Sequence, residues 1–395
     1  MNIVLPLLPT RRQLLFVAFA MFKLFGFIPF PLDCHTFKPK SCSNTGTLFH
    51  LPILQVVLYA FINCMILKYR VQIFYTNLQI LNINDILKFG SLMWAVLAIF
   101  ICTIVQRNTH RCFWEMLKTI RGTTRKEYVQ RFRTQYLWKF YGYLVFSSIV
   151  EVQVLYTIQD SPSEVVYWFV MLFLNVFLWM RHLFHILYID LLKIHLQQLE
   201  YGLVEIRDYM DDLHVHPKES ALYREMYERC INRLLKLKTV YGQLWELSDC
   251  INRTFGWSQI YSFSANFVQL SCDLYWCYMC IKGYSDGDLQ STLIELLPTS
   301  CLIGLLLNSA EACLRVTTAL QSALLEIPHE NDQTFRKIIY RFGLQIAQQR
   351  IRLTAYGLFD INYSLLKMFA TGITTYMIIF ITFSKEISLE EYDNN

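Results

Sequence analysis

Charge is what this sequence has least of. Only 17% of its 395 residues are Asp, Glu, Lys or Arg, against about a quarter in ordinary soluble chains. That deficit excludes a disordered chain, a nucleic-acid-binding tail protein and most soluble enzymes. A phosphate-binding loop, a nucleophile elbow and a metalloprotease motif are all missing. His182 and His185 share one helical face near Arg181, with Asp190 and His195 one to three turns further on. The other six histidines complete no metal-binding box, so these groups read as packing residues. The chain is therefore expected to be no enzyme and to carry no metal and no cofactor. Most of its 12 cysteines lie in apolar runs, among them Cys64, Cys102, Cys272, Cys277, Cys280 and Cys301. They read as small buried hydrophobes rather than as a disulfide framework.

What is abundant is apolar surface. Hydrophobic residues make up 54% of the chain and aromatic ones 15%, and mean hydropathy is +0.31. Such a composition suits lipid as the main solvent. A helix needs about 20 apolar residues to cross a bilayer, and seven stretches qualify: 48–67, 89–106, 140–157, 165–190, 257–281, 289–308 and 363–384. The run 13–31 carries Lys23 and ends in Phe-Ile-Pro-Phe-Pro. It lacks a small-residue cleavage site and reads as an amphipathic N-terminal helix lying at or beside the membrane surface. The expectation is an all-α, polytopic membrane protein with seven transmembrane helices.

Lys and Arg set the orientation. Residues 1–46 hold Arg11, Arg12, Lys23, Lys38 and Lys40, and the connections 107–139, 191–256 and 309–362 are rich in both residues. The opposite side holds only Arg70, Lys282 and Lys385. The N-terminus is thus expected in the cytoplasm and the C-terminus outside, with an acidic tail over 385–395. A G-protein-coupled receptor would place its N-terminus outside, and neither a DRY nor an NPxxY motif stands at the expected span ends. No cysteine falls in the short outer loops 69–84, 158–164 and 282–288, which leaves no disulfide between them.

The connections on the basic side are long and helical in pattern. Residues 191–212 continue the fourth span in phase until His214-Val-His216-Pro217 breaks the chain. From 220 to 250, Leu222, Met226, Cys230, Leu234, Leu237 and Tyr241 recur at three- and four-residue steps, which predicts an amphipathic helix feeding the fifth span. Residues 334–356 repeat the pattern with Ile338, Ile339, Phe342, Ile346 and Ile351. Asn252-Arg-Thr and Asn362-Tyr-Ser fit the glycosylation pattern, but both fall at the cytoplasmic side and are expected to stay unmodified.

Four segments resemble the insect gustatory receptor family. The last span reads Thr375-Tyr376, five hydrophobic residues, then Thr382-Phe383, where the family ends in Thr-Tyr, five hydrophobic residues and Gln-Phe. Thr382 thus departs from the family glutamine. Ala355-Tyr-Gly357-Leu-Phe359-Asp-Ile-Asn362 is similar to the family's entry into this span. Ile251-Asn252-Arg-Thr-Phe255-Gly256 is similar to the segment before the fifth span, and Lys23-Leu-Phe-Gly26-Phe-Ile-Pro29-Phe30 to the N-terminal stretch.

The resemblance implies a tastant-gated, non-selective cation channel in the plasma membrane of gustatory or other sensory neurons. It implies a homo- or hetero-tetramer with other gustatory receptor subunits, in contact with membrane lipid and with no nucleic acid. The seventh span, 363–384, would line the pore, and 309–362 would be a cytoplasmic anchor region. Residues 47–308, with their cytoplasmic extensions over 191–256, would form the six-span ligand-sensing bundle. The alternative is a seven-span G-protein-coupled chemoreceptor. On the pore helix, Thr371, Thr375, Ile379, Thr382 and Glu386 recur at three- and four-residue steps. The threonines offer oxygens to a passing ion, a ring of Ile379 or Phe383 can close by dewetting, and Glu386 near the outer mouth would attract cations.

Ionisable groups inside spans are expensive and mark function by default. Glu151, Asp273 and Glu295 fall in the outer half, with Tyr156, Trp168 and Trp276 beside them, and Tyr167 and Tyr275 near by. Together they are the candidate ligand-binding residues, for a sugar, an amine or an alkaloid.

Overall fold

The computed structural model describes residues 11–28, 32–33, 38–39, single positions between 57 and 68, and then 79–121, 125–160, 162–213, 220–283, 289–328 and 333–393. Side chains are described for these except in 32–33, 38–39, 79–83, 121, 163 and 383–393. The architecture is helical: α1 (Arg11–Leu24), α2 (Gln79–Val105), α3 (Arg107–Arg121), α4 (Lys126–Ile158), α5 (Pro162–Leu213), α6 (Ala221–Ile281), α7 (Leu289–Leu325), α8 (Gln333–Gln348) and α9 (Ser364–Asp393). The described exceptions to an all-α chain are small. They are a two-residue antiparallel ladder, β1 (Leu32–Asp33) with β2 (Lys38–Pro39), and one isolated bridge between Thr354 and Asp360.

Among the described residues, five helices are long and apolar enough to cross a membrane: Asn84–Val105, Lys126–Ile158, Glu164–Leu213, Leu289–Leu325 and Ser364–Thr382. They match five of the seven expected spans to within two residues at the ends that fall short. The expected span 48–67 lies largely outside the described residues, where Val57, Tyr59, Ala60, Phe61 and Cys64 are helical. The expected span 257–281 is helical, as the C-terminal part of α6, but its hydropathy falls short of that of the other five. The cause is Ser258, Gln259, Ser262, Asn266, Gln269, Ser271 and Asp273, which all point into the protein. A helix surrounded by protein does not need an apolar circumference.

α5 is covered on every side. Leu183, Phe184, Ile186, Leu187, Tyr188 and Ile189 are all buried, and so are Arg181, His182, His185 and Asp190, so the helix sits at the centre of the bundle. It packs against α4, α6 and α7, while α2 lies along α6. With 52 and 61 residues, α5 and α6 are about 78 and 90 Å long at the helical rise. That is more than twice the ~30 Å hydrocarbon core. Both must therefore project well beyond a bilayer, and their far ends form a second layer with α8.

That layer is built on amphipathic spacing. Phe335, Ile339, Phe342 and Ile346 form the buried face of α8, and Phe342 meets Tyr241 edge-on at 5.9 Å. The Tyr241 hydroxyl donates to the carbonyl of Gln349 at 2.8 Å. Burial pushes its phenol up to about 12, which keeps it a donor. α6 starts at Ser220, whose hydroxyl accepts the backbone N–H of Tyr223 at 3.1 Å, a side-chain cap of the usual kind. α8 stops at Gln348, whereas the sequence pattern suggests a helix to 356; residues 350–363 form an irregular loop instead. α9 then runs to Asp393, past the expected end of the last span at 384.

α1 buries Leu15, Ala18, Phe19 and Phe22. It is tied to α4 by Tyr141, whose hydroxyl donates to the Leu14 carbonyl at 2.8 Å. Gly26 ends it at φ 77°, the left-handed conformation that glycine adopts without penalty. The turn drives Phe27 into the bundle, against Phe177 and Phe184.

Candidate functional site

A charged cluster gathers at the end of the bundle where α2, α5 and α7 begin and α4 and α6 finish. Lys88 on α2 forms an ion pair with Asp273 on α6 at 2.6 Å, both side chains being almost fully buried. Glu295 on α7 reaches the same ammonium at 3.9 Å. One turn before Lys88, Asp85 accepts from the indole of Trp276 at 3.3 Å and from the hydroxyl of Tyr167 at 3.5 Å. Glu151 on α4 accepts from the Trp168 indole at 2.8 Å and lies within electrostatic reach of Lys88. Four carboxylates and one ammonium thus share a site walled by three aromatic rings.

Five of the six expected ligand-binding residues meet here: Glu151, Trp168, Asp273, Trp276 and Glu295. Tyr156 does not; it points outward from α4, 70% exposed. Sequence reasoning passed over Asp85 and Lys88, which lie just before the expected span 89–106. Their spacing of three is the available signal, since such residues are neighbours on a helix face.

A second polar centre sits midway along α5. Arg181 is fully buried and donates to the Ser258 hydroxyl at 2.9 Å and the Thr254 carbonyl at 3.3 Å. Its guanidinium lies 4.4 Å from the Phe255 ring and 5.5 Å from Phe27. His182 meets Asn266 at 3.0 Å, and His185 meets Gln259 at 2.8 Å. Each of these hydrogen-bond partners comes from α6. Among the described residues no group of three metal-ligating side chains occurs, and the histidines are occupied by amides. Cys277 and Cys280, three positions apart, are free thiols.

α9 rests on α6. Tyr376 turns inward against Phe267 at 6.4 Å and Phe380 at 4.4 Å, and Phe369 meets Phe263 and Phe267 edge-on. Gly372 permits the approach, because a Cβ there would lie 2.8 Å from the Phe267 ring. Thr371, Thr375, Ile379 and Thr382 point away from the subunit and are exposed. The Thr375 and Thr382 hydroxyls donate to carbonyls one turn back, at 3.0 and 2.8 Å. Such a hydroxyl keeps lone pairs to offer an ion. The side chains of Phe383 and Glu386 lie outside the described residues.

These features define a polytopic helical membrane protein with a buried, mixed-charge centre at one end and a weakly packed final helix. The fold is that of an insect olfactory receptor. OR5 from Machilis hrabei superposes with a TM-score of 0.64 over 93% of this chain and 98% of its own, at 14% identity. The structure of OR5 in complex with eugenol superposes with 0.62, at 14% identity over 94% of this chain and 98% of that one. The family model described as 7tm Chemosensory receptor matches residues 15–387, and the chain belongs to that family. Among its relatives, Drosophila melanogaster gustatory receptor 2a is 22% identical over 47% of this chain and 50% of its own length. Gustatory receptor 98a is 25% identical over 44% and 48%. The chain spans about half the length of the gustatory receptors it matches.

Proposed function

We propose that this chain is a tastant receptor that is itself a non-selective cation channel, with α9 of four subunits lining one pore. The observation that carries this is the state of α9. Its membrane-length window is only 6% buried within the subunit, against 72% for that of α5. A helix with one face on α6 and the rest uncovered is placed to meet copies of itself. Its outward face supplies Thr371, Thr375, Ile379 and Thr382 to a lumen, with Phe383 and Glu386 following in sequence.

The charged cluster is the ligand site in this reading. A small molecule that engages Asp273 and Trp276 acts on α6, and α6 carries α9 through Phe267 and Gly372. Binding opens the pore only if the ligand prefers the open arrangement. The bias of Lys and Arg supports a cytoplasmic N-terminus, and the olfactory-receptor fold does not favour the G-protein-coupled alternative.

The test is agonist-evoked current in inside-out patches bathed without nucleotide. Current that persists supports a channel within the receptor itself. Current that needs GTP overturns the reading.

A further inference from the structure

At the opposite end of the bundle from the charged cluster, the projecting parts of α5 and α6, with Ile120 and Arg125, line a half-open cavity of about 480 Å³. Its size is within the roughly 300–1,000 Å³ of small-molecule sites. Arg125, just before α4, Arg233 and Lys236 on α6, and Glu205 on α5 supply the charges of its lining. Glu205 accepts from Arg125 at 2.5 Å and also from Arg233. Tyr201 lies under the Arg125 guanidinium at 4.7 Å. One carboxylate thus serves two guanidiniums, and Lys236 lines the same cavity. Arg233 is held below its usual value, first by burial and then by the neighbouring Arg125 charge.

We infer that this cavity binds a multiply charged phosphate ester. The guanidinium fork matches phosphate oxygens, and three cations against one acid leave an uncompensated positive field in a partly desolvated space. The Glu205 carboxylate occupies the position between the two arginines that a phosphate group would share. The cavity sits on the connections richest in Lys and Arg, the side that the charge bias gives to the cytoplasm. Two sources present such a group there: a soluble inositol phosphate and the headgroup of a phosphoinositide in the inner leaflet.

Binding to the purified full-length receptor tests this without reference to channel activity. One arm titrates inositol 1,4,5-trisphosphate into receptor in detergent. The other reconstitutes receptor into phosphatidylcholine nanodiscs with or without phosphatidylinositol 4,5-bisphosphate and measures the rise in Tm. Lys236→Gln, at an exposed position, is expected to weaken binding about tenfold, the size of one lost charge-assisted contact. Glu205→Gln is expected to tighten it, because both guanidiniums are released. Binding of the trisphosphate alone identifies a soluble ligand, and a response confined to the lipid arm identifies a headgroup. The inference is overturned if neither form binds, or if Lys236→Gln binds as tightly as the parent.

Discussion

A methyl group added to Gly256 on α6 would lie 2.2 Å from Cδ2 of Tyr356 and 3.0 Å from the Tyr356 backbone nitrogen. The absence of a side chain at 256 is therefore what lets the loop before α9 lie flat on α6. Tyr356 itself has φ 54° and is followed by Gly357 at φ 76°, so the loop turns sharply at this contact. Asn252, one turn earlier, grips the same loop with both ends of its amide. Its nitrogen donates to the Arg352 carbonyl at 2.7 Å, and its oxygen accepts from the Thr354 N–H at 3.0 Å. At the far end of the loop, the Asn362 side-chain oxygen accepts the N–H of Ser364, the first residue of α9, at 2.9 Å. Two of the segments that resemble gustatory receptors are thus halves of one joint, which links α6 to the start of the final helix.

Gly256→Ala is expected to destabilise the receptor by about 1–3 kcal/mol, the range for overpacking a closed contact. Tyr356→Gly in the same chain removes the ring and relieves the positive φ, so the double variant should regain most of the loss. Thermal unfolding of purified receptor measures both. An unchanged Tm for Gly256→Ala would mean that the loop does not lie on α6 as described.

Asn252→Ala removes both bonds and leaves a carbonyl and an N–H of the loop without this partner. The cost is about 0.5–1.5 kcal/mol per bond, because the freed groups lie close enough to the surface to be hydrated, and it falls on the joint rather than on the bundle core. Asn252→Asp keeps the acceptor for Thr354 and loses the donor to Arg352, so its effect should be intermediate. Agonist dose–response curves, normalised to surface expression, are expected to shift in the order wild type, Asp, Ala. Curves that superpose would remove the joint from any part in gating.

How much of this could be read in advance depends on where the partners lie. The phase of α5 was legible because the apolar pattern of 165–190 runs on into 191–212 along one helix. The charged cluster was half legible: Asp273 and Glu295 stood out as acids in apolar runs, but Lys88, the cation that holds them, lies far along the chain on another helix. The fifth span was recognisable by length even though its hydropathy is low, and its polar residues make sense only opposite Arg181, His182 and His185. The loop after Gln348 was not legible, because Ile351 continues the helical spacing and the turn at Tyr356 rests on contact with Gly256.

The Lys88–Asp273 pair gives a signed test of the cluster. Removing either partner of a buried pair strands the other charge and costs about 3–5 kcal/mol. Lys88→Met and Asp273→Asn are each expected to reduce folded receptor sharply. The double variant should recover part of the loss: the buried pair is gone, but Glu295 still lacks the ammonium it faces in the parent. Fluorescence-detected gel filtration of the four chains closes the cycle, and additive losses would show that the two groups do not interact.

The two sides of α9 should respond in opposite ways to modification. Thr375→Cys places a thiol on the exposed face, next to residues proposed to border the lumen, and the positively charged thiol reagent MTSET applied from outside should reduce agonist current by at least about half, because one ring of added cations repels the permeating ions. Ile373 is half-buried and packed against the core, so Ile373→Cys should be unaffected over the same exposure. The parent, with its own free thiols, is the control and must resist the reagent. Gly372→Ala separates pore from packing: it leaves every outward residue in place but pushes α9 away from Phe267, and it should lower agonist sensitivity without altering relative ion permeabilities. If Ile373→Cys is blocked and Thr375→Cys is spared, the helix presents the wrong face to the ion, and Thr371, Thr375, Ile379 and Thr382 do not line the pore.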